Sequence, residues 1–200
     1  NGFQTWTDPV ALTSYAIDAP LIELNNNQPI IVFLSDQYYF ISKNQSSWTA
    51  PVPLGPRGEQ AYSNDSYKLR FFSRGNGSFD LFYRHGTPQD GYKFDVYNLR
   101  FNLSGQIELF KKVTNREFHQ KINDYEIARA DDGEYHLSYI LRDQDRFTMM
   151  HALYDGVGTY FEQRVSQLLL DLIDNFSLVS VGRGKVNVYF KARYQGADQT

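Results

Sequence analysis

The chain contains no cysteine. That removes a disulfide framework, a thiolate zinc site and a thiol nucleophile in one stroke. Excess charge is also scarce: 20 Lys and Arg stand against 23 Asp and Glu, a formal net charge of −3. A phosphate-binding face needs surplus Lys and Arg, so a nucleic-acid partner is not expected. Long apolar runs are missing too. The longest, Pro29–Leu34, is far too short to span a bilayer, and no membrane partner is expected. Asn1 stands in polar sequence rather than in a signal peptide, which reads as a mature, trimmed or intracellular start. No extended helical periodicity runs through the chain.

What the chain has in quantity is aromatic side chains, 15 Tyr and 15 Phe. These favour half-buried strands, so composition leans to an all-β fold. The stretch from Tyr67 to Leu99 carries the pattern most plainly, as three strands over Tyr67–Ser73, Phe79–Arg84 and Tyr92–Leu99. Apolar and polar positions alternate in each, the period of a pleated sheet. Gly75, Asn76 and Gly77 supply the first turn, where positive φ is tolerated. Asn-x-Ser sequons occur at Asn44, Asn64, Asn76, Asn102 and Asn175. They read as turn chemistry before they read as glycan acceptors.

Two markers repeat. Trp6-Thr-Asp-Pro-Val-Ala-Leu12 returns as Trp48-Thr-Ala-Pro-Val-Pro-Leu54, 42 residues later with five of seven positions identical. Proline is tolerated there if the heptad is an outermost strand. A Gly or Asn followed six residues later by an aromatic recurs as Asn27…Phe33, Gly77…Tyr83, Gly133…Tyr139 and Gly184…Phe190, at intervals of 50, 56 and 51. Units of about fifty residues with about four strands each match the blades of a β-propeller. The chain therefore reads as one propeller domain of about four blade units, near 1–12, 21–54, 67–113, 125–165 and 176–200. It starts late in one blade and stops midway through another. It is expected to be part of a larger propeller, with further blades as partners; the alternative is a four-bladed ring closed by its N-terminal strand. Gln167–Asp174 fits either a helical turn or a strand.

In an antiparallel blade the first strand starts on the face where the second ends. Tyr67 and Arg84 occupy those two places 17 residues apart, Tyr125 and Arg142 repeat the interval, and Phe176 and Arg193 give it again without the hydroxyl. His85 adjoins the first pair. Guanidinium forks and phenol rings grouped around one mouth suit an anionic sugar. The bland alternative is tyrosines packed between blades and arginines in water. His136 falls mid-strand and reads as structural, and His119 and His151 lack ligand-type spacing, so neither a metal nor a cofactor is expected.

Tyr67-Lys-Leu-Arg-Phe71 with Asp80-Leu-Phe-Tyr-Arg-His-Gly86, and Asp132-Gly-Glu-Tyr-His-Leu-Ser-Tyr-Ile-Leu-Arg-Asp143, resemble the blade motifs of BNR-repeat propellers that include ulvan-lyase-type polysaccharide lyases. Asn123-Asp-Tyr125 stands where that family has Asn-x-Tyr, and Val32–Asp36 with Tyr39–Lys43 resembles the preceding blade. Asp155-Gly-Val-Gly158 is similar to the Asp-box turn of sialidase-type blades. The lyase resemblance implies β-elimination next to a uronate, with Tyr67 moving the proton, Arg84 neutralising the carboxylate, and Tyr125, Asn123, Arg142 and Arg193 holding substrate. The partner it implies is an anionic, often sulfated polysaccharide, and a secreted or periplasmic location goes with it. Two departures stand out: Asp36-Gln37-Tyr38 where relatives carry histidines, and Lys68 where they carry proline. The base histidine is then absent, supplied from outside this sequence, or replaced by His85. The competing expectation is a non-catalytic propeller that binds glycan or protein on the same face. A sialidase-type hydrolase ranks last, because no acid pair accompanies the arginines.

Overall fold

A computed structural model describes residues 21–25, 28–34, 37–44, 47–54, 69–85, 94–114, 120–166, 170, 172–182, 185–194 and 197–199. All of their regular structure is strand. The first sheet holds β1 (Leu21–Asn25), β2 (Gln28–Leu34), β3 (Tyr38–Asn44), β4 (Ser47–Trp48) and β5 (Val52–Pro53). The second holds β6 (Arg70–Ser73), β7 (Ser78–His85), β8 (Asp95–Asn102) and β9 (Ile107–Lys112). The third holds β10 (Gln120–Arg129), β11 (Tyr135–Asp143), β12 (Arg146–Tyr154) and β13 (Thr159–Arg164), and the fourth holds β14 (Leu172–Gly182), β15 (Lys185–Tyr194) and β16 (Ala197–Gln199). The second, third and fourth sheets are antiparallel up-and-down meanders, and the first follows the same order from β1 to β3. The heptad Trp48–Leu54 supplies the two short edge strands β4 and β5, both on β3, with Pro51 between them.

Turn chemistry sets the hairpins. Gly75 and Gly77 hold φ of 79° and 83° between β6 and β7, where a side chain at Cβ would be strained. The Asn76 side-chain oxygen accepts from Ser78 N at 3.1 Å, and that of Asn102 accepts from Ser104 N at 3.0 Å. Both sequon asparagines thus brace their own turns. Asp155 does the same in the turn after β12, its Oδ1 taking Val157 N and Gly158 N at 2.8 Å each.

The sheets pack face to face in series. Ile30, Val32, Tyr38, Phe40 and Leu54 of the first meet Phe71, Phe79, Leu81, Tyr83, Leu99 and Phe101 of the second. The opposite face of the second sheet, through Phe82 and Val96, meets Tyr125, Ile127, Tyr135, Leu137, Tyr139 and Tyr154 of the third. The third sheet's other face, through Ile140 and Met149, meets Ile173, Phe176 and Ala192 of the fourth. This explains why β7 is buried at Ser78 through Tyr83 without alternation: both of its faces are interfaces. Each such ring or aliphatic side chain contributes roughly 1.5–3 kcal/mol on leaving water. Along one margin of the stack the first strands neighbour one another, β1 beside β6, β6 beside β10 and β10 beside β14.

Candidate functional site

The margin where the first strands meet carries the densest polar chemistry near the expected site. Arg70 on β6 reaches Glu126 on β10, with Nε and Nη2 donating to the same Oε2 at 3.0 and 2.5 Å. Nη1 donates to the Leu69 carbonyl at 3.0 Å. Both side chains are half-buried, so the pair keeps access to solvent. The two residues stand 56 apart, and that number is structural. Arg74 N donates to Ser78 O in the β6–β7 turn, and Ala130 N to Glu134 O in the β10–β11 turn, again 56 apart. Arg70 and Glu126 therefore hold equivalent places in successive sheets, and so do Ser73 and Arg129, whose carbonyl and guanidinium also bond.

That offset corrects the expected pairing of sites. Equal 17-residue intervals suggested Tyr67 with Arg84 as the counterpart of Tyr125 with Arg142. In the register, Arg70 lies opposite Phe82 and Glu126 opposite Ser138, so Leu69 is the counterpart of Tyr125 and Arg84 that of Ile140. Tyr125 does not open its strand either: β10 begins at Gln120, and Tyr125 lies opposite Tyr139 while Arg142 lies opposite Lys121. Phe176 and Arg193 repeat that arrangement, opposite Phe190 and Leu172. Arg142 and Arg193 are thus equivalent to each other and Arg84 is not. The β6–β7 and β10–β11 turns are equal in length, so equivalent places stand 56 apart on both strands. Tyr67 to Tyr125 and Arg84 to Arg142 are each displaced by 58, and an equal interval within each pair left that two-residue shift unseen. β10 also carries a bulge.

The bulge falls on Asn123. Register shifts between Ile122 and Asp124, leaving exposed Asn123 as the extra residue, and the same irregularity recurs in β14 between Asp174 and Phe176. A bulge breaks the ladder and releases carbonyls. Arg84 takes them up: Nη1 donates to Ile122 O at 3.2 Å and to Asn123 O, while the guanidinium lies 4.8 Å over the Phe94 ring. The Asp124 carboxylate accepts from Tyr125 N at 2.8 Å. Arg84 and Asn123 are therefore brought together, with Arg84 bonded to the bulge's backbone rather than to its side chains.

Tyr125 is buried, and its hydroxyl donates to the Phe82 carbonyl at 3.1 Å. Burial drives its pKa well above the ordinary phenol value, with the nearby Tyr38 adding to the effect and Arg70 and Arg84 opposing it. A proton-moving phenol needs the opposite shift, so the geometry gives Tyr125 a packing role between sheets. Arg142 is tied locally: Nε donates to Gln144 O at 2.8 Å and Nη2 lies 3.6 Å from exposed Asp145. Arg193 is exposed on β15 opposite Leu172 and Asp198. His85 ends β7 opposite Asp95, its ring edge-on to Tyr97 at 5.6 Å and to Tyr83 at 6.3 Å. Buried Asp95 accepts from the Thr114 hydroxyl at 3.0 Å and lies 3.7 Å from Lys112. Tyr67 lies outside the described residues. Among the described residues no group of three His, Cys, Asp or Glu side chains could hold a metal ion.

Sequence reasoning missed Arg70, Glu126 and Phe94. The first two were findable as opposite charges at equivalent places of adjacent repeats, once the hairpin turns set the offset. Phe94 had no such signal.

No family model matches this chain, and no curated protein does. Among solved structures, the endo-arabinase from Bacteroides thetaiotaomicron VPI-5482 is similar, with a TM-score of 0.58, 12% identity, and coverage of 98% of this chain and 76% of that one. Similarity at this identity concerns the backbone alone: the serial all-β arrangement described above is one that a solved protein also adopts.

Proposed function

We propose that the chain is a β-propeller acting on carbohydrate, with an acidic polysaccharide bound where its first strands converge. The observation that carries this reading is the convergence itself: β1, β6, β10 and β14 neighbour one another in sequence order while the sheets stack outward from them. That is the relation between blades around a central axis. The backbone likeness to an endo-arabinase supports a carbohydrate ligand in preference to other occupants of such a mouth. Arg70, Arg84 and His85 contribute positive or proton-exchanging groups there, and the exposed Asn123 amide adds donors and an acceptor.

The reaction we assign to the site is β-elimination beside a uronate. A base removes the C5 proton, its electrons form the C4–C5 double bond, the C4–O bond breaks, and an acid protonates the departing oxygen. Tyr67 and His85 are the proton-moving candidates, and a guanidinium beside the carboxylate acidifies the C5 proton. Incubation with ulvan, alginate or glycosaminoglycans should raise the ultraviolet absorbance of the unsaturated uronate. Tyr67→Phe and His85→Asn should each cut that rate about 100-fold or more.

A binding-only reading is favoured by two specific features, the Arg84 bonds to backbone carbonyls and the buried Tyr125 hydroxyl. On that reading the absorbance stays flat while an acidic polysaccharide gel retards the protein. Neither absorbance nor retardation with any of the polymers would reject both.

A further inference from the structure

The β6–β7 hairpin turns on a stretch that the proposed site does not use, Gly75-Asn76-Gly77-Ser78. Ser78, the third residue of the Asn76 sequon, is committed elsewhere: it is buried, and its hydroxyl donates to Glu108 Oε2 at 2.9 Å. What the turn presents to solvent is the exposed Asn76, followed by half-buried Gly77.

Three features of this peptide favour attack of the Gly77 nitrogen on the Asn76 side-chain amide. The nucleophile is unhindered, because Gly77 carries no side chain and a Cβ there would meet only Leu103 Cδ1, at 3.9 Å. The electrophile is polarised: Asn76 Oδ1 accepts from Ser78 N at 3.1 Å, and that N–H remains aimed at the oxygen as it becomes an oxyanion. The ring closed by the same bond contains the Gly77 nitrogen, which holds it near Cγ.

We infer that Asn76 is a self-modification site, converting in the folded protein through a cyclic imide with Gly77 to aspartate and isoaspartate. Solvent hydroxide takes the Gly77 amide proton, and the nitrogen forms a bond to Asn76 Cγ. The bond from Cγ to Nδ2 breaks, and Nδ2 leaves as ammonia after taking a proton from water. Water then adds to one of the two imide carbonyls and breaks that carbon's bond to the Gly77 nitrogen. One water is consumed and one ammonia released. Opening at Cγ leaves aspartate in the ordinary chain, whereas opening at the main-chain carbonyl carries the chain through Cβ and Cγ and lengthens it by one carbon.

Asn102 is the internal comparison. Its Oδ1 accepts from Ser104 N at 3.0 Å in the same relation, so its side-chain carbonyl is held alike. The residue between is Leu103, whose side chain shields the nitrogen that would have to attack. The chain's other Asn–Gly pair, Asn1-Gly2, lies outside the described residues.

The two products act differently on the hairpin. Aspartate keeps a side-chain oxygen for Ser78 N. Isoaspartate draws that acceptor into a longer main chain, inside a turn closed by Arg74 N donating to Ser78 O at 3.0 Å. β6 is held to β7 by the pairs from Arg70 with Phe82 to Ser73 with Phe79, and the added carbon works against that register. Isoaspartate at this position therefore loosens β6, the strand that carries Arg70.

Peptide mapping of the whole folded chain, aged at about pH 8 and about pH 6, tests the inference. Trypsin releases Asn76 within Gly75–Arg84, a peptide with no other Asn or Gln, and Asn102 within Phe101–Lys111. The first peptide should gain about 1 Da, the difference between an amide and an acid, and should split into two chromatographic forms. It should do so at least about tenfold faster than Asn102 converts, and faster at the higher pH. The fold should not shelter it: the rate in the folded chain should lie no more than about threefold below the rate in urea. The isoaspartate form of the protein should show at least about tenfold less amide protection over β6 than freshly prepared Asn76→Asp, with β12 equal in the two. Asn76 left unconverted, equal rates at Asn76 and Asn102, a folded rate further below the urea rate, or equal β6 protection in the two forms would each overturn the inference.

Discussion

Replacing Asp80 by Ala is expected to remove about 3–5 kcal/mol of folding stability, read as a lower urea midpoint with an unchanged slope. Asp80 is fully buried on β7, between the second and third sheets. Arg100 Nε donates to Oδ1 at 2.8 Å and Asn98 Nδ2 to the same oxygen at 3.1 Å. Arg74 Nη1 and the Tyr135 hydroxyl donate to Oδ2 at 2.8 and 2.6 Å. Arg100 Nη2 goes on to the Gly156 carbonyl at 2.7 Å, so the carboxylate fastens two sheets through the β12–β13 turn. Burial alone would raise the Asp80 pKa, but the hydrogen bonds from Arg100, Tyr135 and Arg74 outweigh it and leave it below the ordinary carboxylate value.

Truncation strands two guanidiniums and a phenol in a seam that water enters poorly, and that loss dominates the value of any one bond. Asp80→Asn keeps one acceptor and should cost less, about 1.5–3 kcal/mol. A carboxylate with a depressed pKa stabilises above its unfolded value and ceases to do so as pH falls through its folded one, so either substitution should also flatten the acid limb below about pH 4. The comparison is the exposed Arg142–Asp145 pair, where Asp145→Ala should change stability by less than about 1 kcal/mol. A loss below that level for Asp80→Ala would refute the clasp.

The second large effect is expected at Gly105, in the turn joining β8 to β9. Its φ is +80°, a conformation that costs an L side chain roughly 1–2 kcal/mol. A Cβ there would overlap the Val52 side chain of β5 and lie 3.4 Å from the Phe40 ring. Phe40 is buried and belongs to the core between the first and second sheets, its ring tilted against Phe101 at 5.2 Å. Overpacking of such a seam adds roughly 1–3 kcal/mol. Gly105→Ala should therefore lose about 2–5 kcal/mol, while Gly75→Ala, with a similar φ and open space around it, should lose only the backbone part of about 1–2 kcal/mol. Equal losses at the two glycines would mean that the first and second sheets do not close on Val52.

Much of the fold was legible because strand period and turn residues are local. The strand at Phe79–Arg84, the glycines at 75 and 77, and the fifty-residue recurrence each depend on neighbours in sequence, and each reappears as a strand, a positive-φ turn or a sheet of a series, although β7 is buried on both faces where the alternation predicted one. The ambiguous stretch before Asn175 resolves as strand from Leu172 onward because it pairs with Ala192 and Arg193. The site was less legible. An interval within a pair does not fix where the pair sits along the ladder, and a shift of two residues against the 56-residue offset between equal hairpins was enough to misalign Tyr125 and Arg142 against Tyr67 and Arg84. Tyr125 is a second instance. Phenols at strand positions serve packing and chemistry alike, and only the buried Phe82 carbonyl at 3.1 Å decides which. The Asp80 clasp left no trace in motif form, since its partners come from β8, β11 and the β6–β7 turn.

Serial packing has a consequence for how the molecule comes apart. The second and third sheets are each sandwiched, whereas the fourth, among the described residues, shares its apolar contact with the third alone, and Val179, Val181 and Tyr189 stand in solvent. Stability in such a quasi-one-dimensional array is close to a sum over nearest neighbours, so each seam contributes to the two sheets that share it. Under tension or mild denaturant the array should come apart seam by seam, while the clasped pair at its middle stays intact.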